Sequence, residues 1–237
     1  MHHADSHDIQ AGAVWEAWNR RGFADRCRLL TAALEHLPAH AEAALTERLT
    51  RQLLSDAERL GTTVELPGPT GESNALYLNG RGLALLLGTD VSSETLVAGQ
   101  LLAALACGNA VILRWPDHEG WLGQLVEALQ QAGVPKALLA LDSHTPEAEL
   151  LGHPDLRLVI TSCTREEAIR LNRTLAAQNG VLLQLVAETD LQQCPLLTSP
   201  DFLLRLVTEK TRTINTTAVG GNTRLLTLAA GPGKQLF

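Results

Sequence analysis

The chain has 237 residues, of which 45% are hydrophobic and only 3% aromatic, and its formal net charge at pH 7 is -7. This hydrophobic content is enough to bury a core, and a composition poor in aromatic residues favours helices packed on a sheet over an all-β sandwich. An acidic chain without a basic cluster argues against a nucleic-acid partner, and its apolar runs are too short to span a bilayer.

Two helical segments are predicted at the N-terminus, ahead of a turn-rich stretch. Apolar residues recur at helical spacing over 9–35, where Gly22 breaks the pattern, and over 38–60, which ends at Gly61. Two Pro and two Gly within 65–74 then predict a linker. The helices would pack either on the domain that follows or on a neighbouring one.

Beyond residue 80, short apolar runs alternate with helical segments. The predicted strands are 82–88, 109–115, 137–142, 156–162 and 181–188. The predicted helices between them are 94–108, 118–133, 147–153 and 164–180. This alternation implies right-handed βαβ units, and the near-continuous apolar strands imply a sheet covered on both faces. We therefore predict an α/β fold: a Rossmann-like, doubly wound, mainly parallel sheet.

The cysteines predict neither a disulfide framework nor a metal site. None of the four forms a CxxC pair, and no His lies near one at metal-ligand spacing. Reduced thiols in a cytoplasmic protein are the simplest interpretation. The N-terminal sequence MHHADSHDIQ lacks the apolar region of a secretory signal, and its His pair is interpreted as part of a loose tail.

The loops that follow the predicted strands lack the usual nucleotide motifs. No GxGxxG or P-loop follows any strand, although a doubly wound sheet binds ligands at the carboxyl ends of its strands. Arg114 and Arg165 lie at such ends, where each would hold a phosphate or ribose or be a solvated surface charge. Thr164, with Glu167 three residues later, predicts a capping box that starts a helix.

Three stretches, residues 97–117, 158–166 and 186–190, resemble the cofactor domain of NAD-dependent aldehyde dehydrogenases, and the resemblance covers roughly residues 80–190. The stretch VAGQLLAALACGNAVILRWPD, residues 97–117, is similar to that family's helix, its Ala-x-Gly-Asn-Ala turn and the strand that follows. Residues 158–166 are similar to the family's Phe-Thr-Gly-Ser-Thr-Glu stretch, and residues 186–190 to its Glu-x-Gly-Gly stretch. The resemblance implies the same fold and a site at the carboxyl edge of the sheet.

This chain also departs from that family's pattern. Arg114 stands where the family has a ribose-binding Lys, and Ser162 stands where it has a Gly that lets the backbone approach a pyrophosphate. Glu188 matches the general-base glutamate, but the resemblance predicts that the roughly fifty residues after it do not hold the module with the nucleophilic Cys. Cys194 has no His or Lys beside it in sequence to lower its pKa and is a poor candidate nucleophile. The resemblance therefore implies that this chain has no catalytic residue. It also implies a vestigial cofactor site, formed by Arg114, Ser162, Thr164 and Glu188.

The C-terminal sequence TINTTAVGGNTRLLTL resembles the end of the long proline utilisation A proteins. Their terminal Asn-Thr-x-Ala-x-Gly-Gly-Asn motif is matched by six residues: Asn215, Thr216, Ala218, Gly220, Gly221 and Asn222. The resemblance implies a β-flap and a tail that dock on a catalytic dehydrogenase module. From the residues alone, the alternating β-formers of EKTRTINTT would equally form a hairpin that ends this chain's own sheet.

The resemblance predicts four segments. They are an N-terminal helical segment (1–64), a linker with the first strand (65–80), a Rossmann-like domain (81–190) and a β-flap with the tail (191–237). It implies a non-catalytic domain that seals an L-glutamate γ-semialdehyde dehydrogenase module in cis or in trans. A second copy of the chain, in a homo-oligomer, is a further candidate partner. NAD would lie in that module and FAD in a proline dehydrogenase module, with no cofactor on this chain. The alternatives are an NAD-dependent 1-pyrroline-5-carboxylate dehydrogenase acting as part of the whole protein, and a nucleotide-sensing pseudoenzyme.

Overall fold

The computed structural model describes residues 11–215, and its elements follow the predicted order. The helices are α1 (Ala11–Arg20), α2 (Gly22–Ala33), α3 (Ala43–Arg59), α4 (Glu94–Ala106), α5 (Glu119–Gln131), α6 (Glu147–Leu151) and α7 (Arg165–Ala176). The strands are β1 (Val64–Leu66), β2 (Glu72–Gly80), β3 (Leu83–Leu87), β4 (Ala110–Arg114), β5 (Leu139–Leu141), β6 (Leu156–Ser162), β7 (Gln184–Glu188) and β8 (Val207–Asn215). Every helix and strand predicted between 82 and 188 is present, and most are a few residues shorter than predicted.

The described part of the chain divides into two compact units. One consists of residues 11–61 and 79–208, and the other of residues 62–78 and 209–215. The larger unit holds a five-stranded parallel sheet in the order β5-β4-β3-β6-β7. This order confirms the predicted doubly wound α/β fold, because β3 lies at the centre and the chain adds strands first on one side of it and then on the other.

Helix α4 lies at the centre of the larger unit. Twelve of its residues are buried, and it packs against α2, α3 and the sheet. A helix that is apolar on all sides can be stable only when neighbours cover every side. The N-terminal helices provide part of this cover, so they pack on the Rossmann-like domain rather than only on a neighbour.

Two side chains of the N-terminal helices cap the end of α4. The indole Nε1 of Trp18 donates to the carbonyl of Leu105 at 2.9 Å, and Arg26 Nε donates to the carbonyl of Ala106 at 2.9 Å. Both side chains are almost fully buried, with exposed fractions of 1%. Because the last carbonyls of a helix have no partner within the helix, these donors stabilise its C-terminus.

The Gly-Asn-Ala turn after α4 is held by the side chain of Asn109. Its Oδ1 accepts from the backbone N of Gly82 at 3.2 Å, and its Nδ2 donates to the carbonyls of Ala104 and Leu206 at 3.1 and 2.9 Å. Gly108, at φ 91°, makes the turn in the left-handed region. The turn that carries the resemblance to aldehyde dehydrogenases therefore fixes the amino ends of β3 and β4.

The smaller unit contains a three-stranded sheet in the order β1-β2-β8. Strands β1 and β2 are antiparallel, with Val64 opposite Leu76, so the Pro- and Gly-rich stretch between them is the turn of a hairpin. Thr213 Oγ1 donates to Asn74 Oδ1 at 2.6 Å across this sheet. In the described range, no helix is long and apolar enough to cross a membrane.

Candidate functional site

The candidate site is the crevice at the switch point of the parallel sheet. Strands β3 and β6 are neighbours there, and the chain leaves them in opposite directions. The switch crevice lies between the loop after β3, residues 88–93, and the loop after β6, residues 163–164. Ligands of doubly wound sheets bind at this position because the two loops separate from each other.

Hydrogen bonds within the chain close the switch crevice. Thr89 Oγ1 donates to the carbonyl of Ser162 at 2.9 Å, and Ser92 Oγ donates to the same carbonyl at 2.7 Å. Ser162 is fully buried, and its Oγ accepts from Gln100 Nε2 of α4 at 2.9 Å. The backbone and the side chain of Ser162 are therefore both engaged inside the protein.

Arg114 and Thr164 also have partners within the chain. Arg114 Nη1 donates to the carbonyl of Ser143, in the loop after β5, at 2.9 Å. Thr164 caps α7: its Oγ1 accepts from the backbone N of Glu167 at 3.3 Å, and its own N donates to Glu167 Oε2 at 2.9 Å. This is the predicted capping box, and it occupies the helix terminus that would otherwise face a phosphate.

Glu188 lies at the carboxyl end of β7 with an exposed fraction of 2%. Its Oε1 accepts from the backbone N of Thr189 and Asp190 at 3.0 and 3.2 Å. Its Oε2 accepts from the backbone N of Leu196 and Leu197 at 2.8 and 3.1 Å. A carboxylate that accepts four backbone hydrogen bonds has no lone pair directed at a substrate, so here it organises the turn that follows the strand.

Cys163 and Cys194 are poorly suited to act as nucleophiles. Cys163 is fully buried, and burial raises the pKa of its thiol. The pKa of the Cys194 thiol is also raised, first by desolvation and then by the charges of Glu188 and Asp190. Because the thiolate is the nucleophilic form, both thiols are weak nucleophiles at neutral pH.

Trp115 fills space beside the switch crevice, and the sequence predictions did not single it out. It is 3% exposed, and its Nε1 donates to the carbonyl of Thr89 at 3.2 Å. A Cβ placed on Gly88 would lie 2.2 Å from Trp115 Cγ, so the indole is in direct contact with the Gly88 backbone. The available signal was an aromatic residue directly after a buried strand and before a Pro.

The predicted docking residues lie at the end of the described range. Asn215 is the last residue of β8. Thr216, Ala218, Gly220, Gly221 and Asn222 lie outside the described residues. Five consecutive residues of β8, 211–215, are exposed. Strand β8 lies beside β2 in the small sheet of this chain, and a hairpin partner that follows it in sequence would lie outside the described residues.

Two surface depressions in the larger unit lie away from the switch crevice. One, of about 90 Å³, lies between α3 and residues 197–203, and the other, of about 290 Å³, lies between α2 and α3. Neither is lined by Arg114, Ser162, Thr164 or Glu188. Within residues 11–215, no three His, Cys, Asp or Glu side chains are grouped as metal ligands.

The fold of this chain is similar to that of a known class of enzymes. No protein-family model matches the chain. The structure superposes on the NAD-bound 1-pyrroline-5-carboxylate dehydrogenase from Thermus with a TM-score of 0.64, over 76% of this chain and 41% of that one, at 19% identity. The chain therefore has an aldehyde dehydrogenase fold.

Sequence similarity then identifies the relatives. The chain is 33% identical over 168 residues to the bifunctional protein PutA of Escherichia coli strain K12, and 33% identical over 174 residues to that of Rhizobium meliloti. The structure of Bradyrhizobium japonicum proline utilization A superposes with a TM-score of 0.66 at 28% identity, over 80% of this chain and 22% of that one. The chain is thus similar in sequence to a part of the PutA proteins, and its fold is that of the aldehyde dehydrogenases. Each match covers 71% of this chain, whereas the chain spans only 11% and 13% of the length of these two relatives.

Proposed function

We propose that this chain is a non-catalytic domain that packs on and seals the 1-pyrroline-5-carboxylate dehydrogenase module of a PutA-type protein. One observation carries the proposal: the groups that an aldehyde dehydrogenase would offer to cofactor and substrate are here hydrogen-bonded or buried within the chain itself. Glu188, at the position of the general base, accepts four backbone hydrogen bonds. Ser162, at the nucleotide turn, is fully buried.

The small sheet supports the docking part of the proposal. Strand β8 leads into the predicted docking residues, and its residues 211–215 are exposed. Val64 and Leu66 of β1 are also exposed, by 49% and 36%. Exposed apolar side chains next to strand backbone are typical of surfaces that another protein covers. We propose that β8 and the residues after it make this contact, in cis or in trans, in the cytoplasm.

In this proposal the cofactors belong to other modules. NAD would bind to the catalytic aldehyde dehydrogenase module and FAD to a proline dehydrogenase module. The second candidate, a nucleotide-sensing pseudoenzyme, is favoured by Arg114, whose guanidinium lies at the carboxyl edge of the sheet and is only partly buried. Dinucleotide binding would require the bond between Arg114 and Ser143, or those between the crevice loops, to break.

Calorimetric titration of NAD⁺ into the purified chain separates the two candidates. The sealing role predicts no heat of binding at millimolar cofactor. Saturable binding with micromolar affinity, equivalent to roughly 8 kcal/mol, would instead favour the sensing role.

Two truncations test docking. We expect deletion of residues 211–237 to abolish co-purification with a PutA-type aldehyde dehydrogenase module. Deletion of residues 216–237 leaves β8 intact and separates the contribution of the strand from that of the tail, while deletion of residues 1–10 is the control. Association that survives deletion of 211–237 unchanged would contradict the docking proposal.

A further inference from the structure

We infer that the space beside Gly88 is a slot for one planar heteroaromatic ring, and that Trp115 of the same chain occupies it as an internal ligand. The Trp115 slot is defined by four residues: Gly88, Thr89, His118 and Trp121. It lies at the carboxyl ends of β3 and β4, where the fold binds ligands. The inference goes beyond the proposed docking role, because it concerns this chain without its partner.

The walls of the slot match the two faces of a flat ring. The imidazole of His118 stacks on the indole with centroids 3.6 Å apart and an interplanar angle of 14°. A Cβ on Gly88 would lie 2.2 Å from Trp115 Cγ and 2.6 Å from each neighbouring ring carbon, which places Gly88 directly over the ring plane. Because the stacked His118 ring already covers one face of the indole, the Gly88 backbone fits only against the other face, so the indole lies between them.

The edge of the slot supplies one hydrogen-bond acceptor and one aromatic contact. The carbonyl of Thr89 accepts from the indole Nε1 at 3.2 Å. Trp121 packs edge-on, with ring centroids 6.2 Å apart and an interplanar angle of 82°. Stacking on one aromatic face, edge contact with another and a single in-plane acceptor together select a heteroaromatic ring that carries an N–H.

The stacked His118 is itself held in place. Its Nδ1 lies 3.6 Å from Glu94 Oε1, in the first turn of α4. Gly88 is required for a different reason: any side chain there would occupy the volume of the ring. The wall residues therefore come from the loop after β3, the segment after β4 and α5, so the slot belongs to the scaffold and not to Trp115 alone.

The test is ligand rescue of a cavity. We expect Trp115→Gly to bind added indole with a Kd of ~0.1–1 mM, measured by calorimetry and by a rise in thermal midpoint. The wild-type chain should bind none, because its own ring fills the slot. We expect 1-methylindole, which cannot donate to Thr89, to bind Trp115→Gly at least about fivefold more weakly than indole.

Trp121→Gly is the matched control. The Trp121 Nε1 is buried and has no hydrogen-bond partner among residues 11–215. Any cavity that this variant opens should therefore bind indole and 1-methylindole equally. A folded Trp115→Gly that binds no indole, or that does not discriminate between the two probes, would overturn the inference, as would saturable indole binding to the wild-type chain.

Two further variants cover the possibility that Trp115→Gly does not fold. Trp115→Leu leaves part of the slot open and should bind indole more weakly but still measurably. Trp115→Phe keeps a ring without the N–H donor and should lower the thermal midpoint by several degrees through loss of the bond to Thr89. An unchanged midpoint in Trp115→Phe, or a folded Trp115→Leu that binds no indole, would contradict the proposed slot.

Discussion

The role of Glu188 can be tested through stability rather than activity. Its carboxylate accepts from four backbone N–H groups: Thr189 and Asp190 on one oxygen, Leu196 and Leu197 on the other. Glu188→Gln keeps the shape of the side chain but replaces one oxygen with an NH₂ group. Whichever way the amide turns, one pair of backbone donors then faces another donor.

The expected loss follows from these contacts. Leaving a buried donor unsatisfied costs about 1–3 kcal/mol. Two such donors, with some relaxation of the turn, predict that Glu188→Gln lowers the free energy of unfolding by about 2–4 kcal/mol. For a chain of this size that corresponds to a fall in thermal midpoint of roughly 2–4 °C per kcal/mol.

Urea unfolding at pH 7 measures the effect directly. Glu166→Gln, an exposed position in the first turn of α7, is the control and should change stability by less than about 0.5 kcal/mol. A catalytic general base is not expected to support the fold in this way. If Glu188→Gln is as stable as the wild type, the turn does not depend on this carboxylate, and the argument against a catalytic role fails.

Three further predictions concern buried groups and a helix cap. The buried guanidinium of Arg26 donates to three backbone carbonyls, and desolvation lowers its pKa to about 10. Arg26→Lys should therefore lower the free energy of unfolding by about 2–3 kcal/mol in urea, whereas Arg28→Lys, at an exposed position, should have almost no effect. Thr164→Ala removes the cap of α7 and should cost about 1 kcal/mol, and a loss below about 0.3 kcal/mol would contradict the capping role. Burial raises the pKa of the Cys27 thiol from 9.0 to about 11. Because the thiol of the unfolded chain then ionises at lower pH than that of the folded chain, the free energy of unfolding should fall as pH rises from 9 to 11. Cys27→Ala should reduce that fall, and an unchanged pH profile would refute the assignment.

Much of the fold could be predicted from local patterns. The strand predicted at 156–162 has those bounds in the structure, where six of its seven residues are buried. The capping box at Thr164 was predicted from two residues three positions apart, and both of its hydrogen bonds are present. The predicted ends of helices and strands were less accurate. The strand predicted from residue 181 begins at Gln184, because Val181 and Leu182 are exposed before the sheet begins.

The small sheet was harder to predict. The Pro- and Gly-rich stretch at 65–74 was interpreted as a linker, but it contains most of β1 and joins it to β2 in a hairpin. Turn residues indicate that the chain bends but not which strands pair across the bend. Strand β8 joins this sheet from more than a hundred residues away in sequence, a pairing that no local pattern could indicate.

The sequence by itself determined the α/β class, the doubly wound type of sheet and the resemblance to aldehyde dehydrogenases, because hydrophobic periodicity and short turn motifs are local. Only the tertiary structure decided the state of the switch crevice. The bonds from Thr89 and Ser92 to Ser162 span 73 and 70 residues, and the contact of Trp115 with Gly88 joins two strands. Whether a polar group faces a ligand or its own chain depends on such distant partners, which packing brings together.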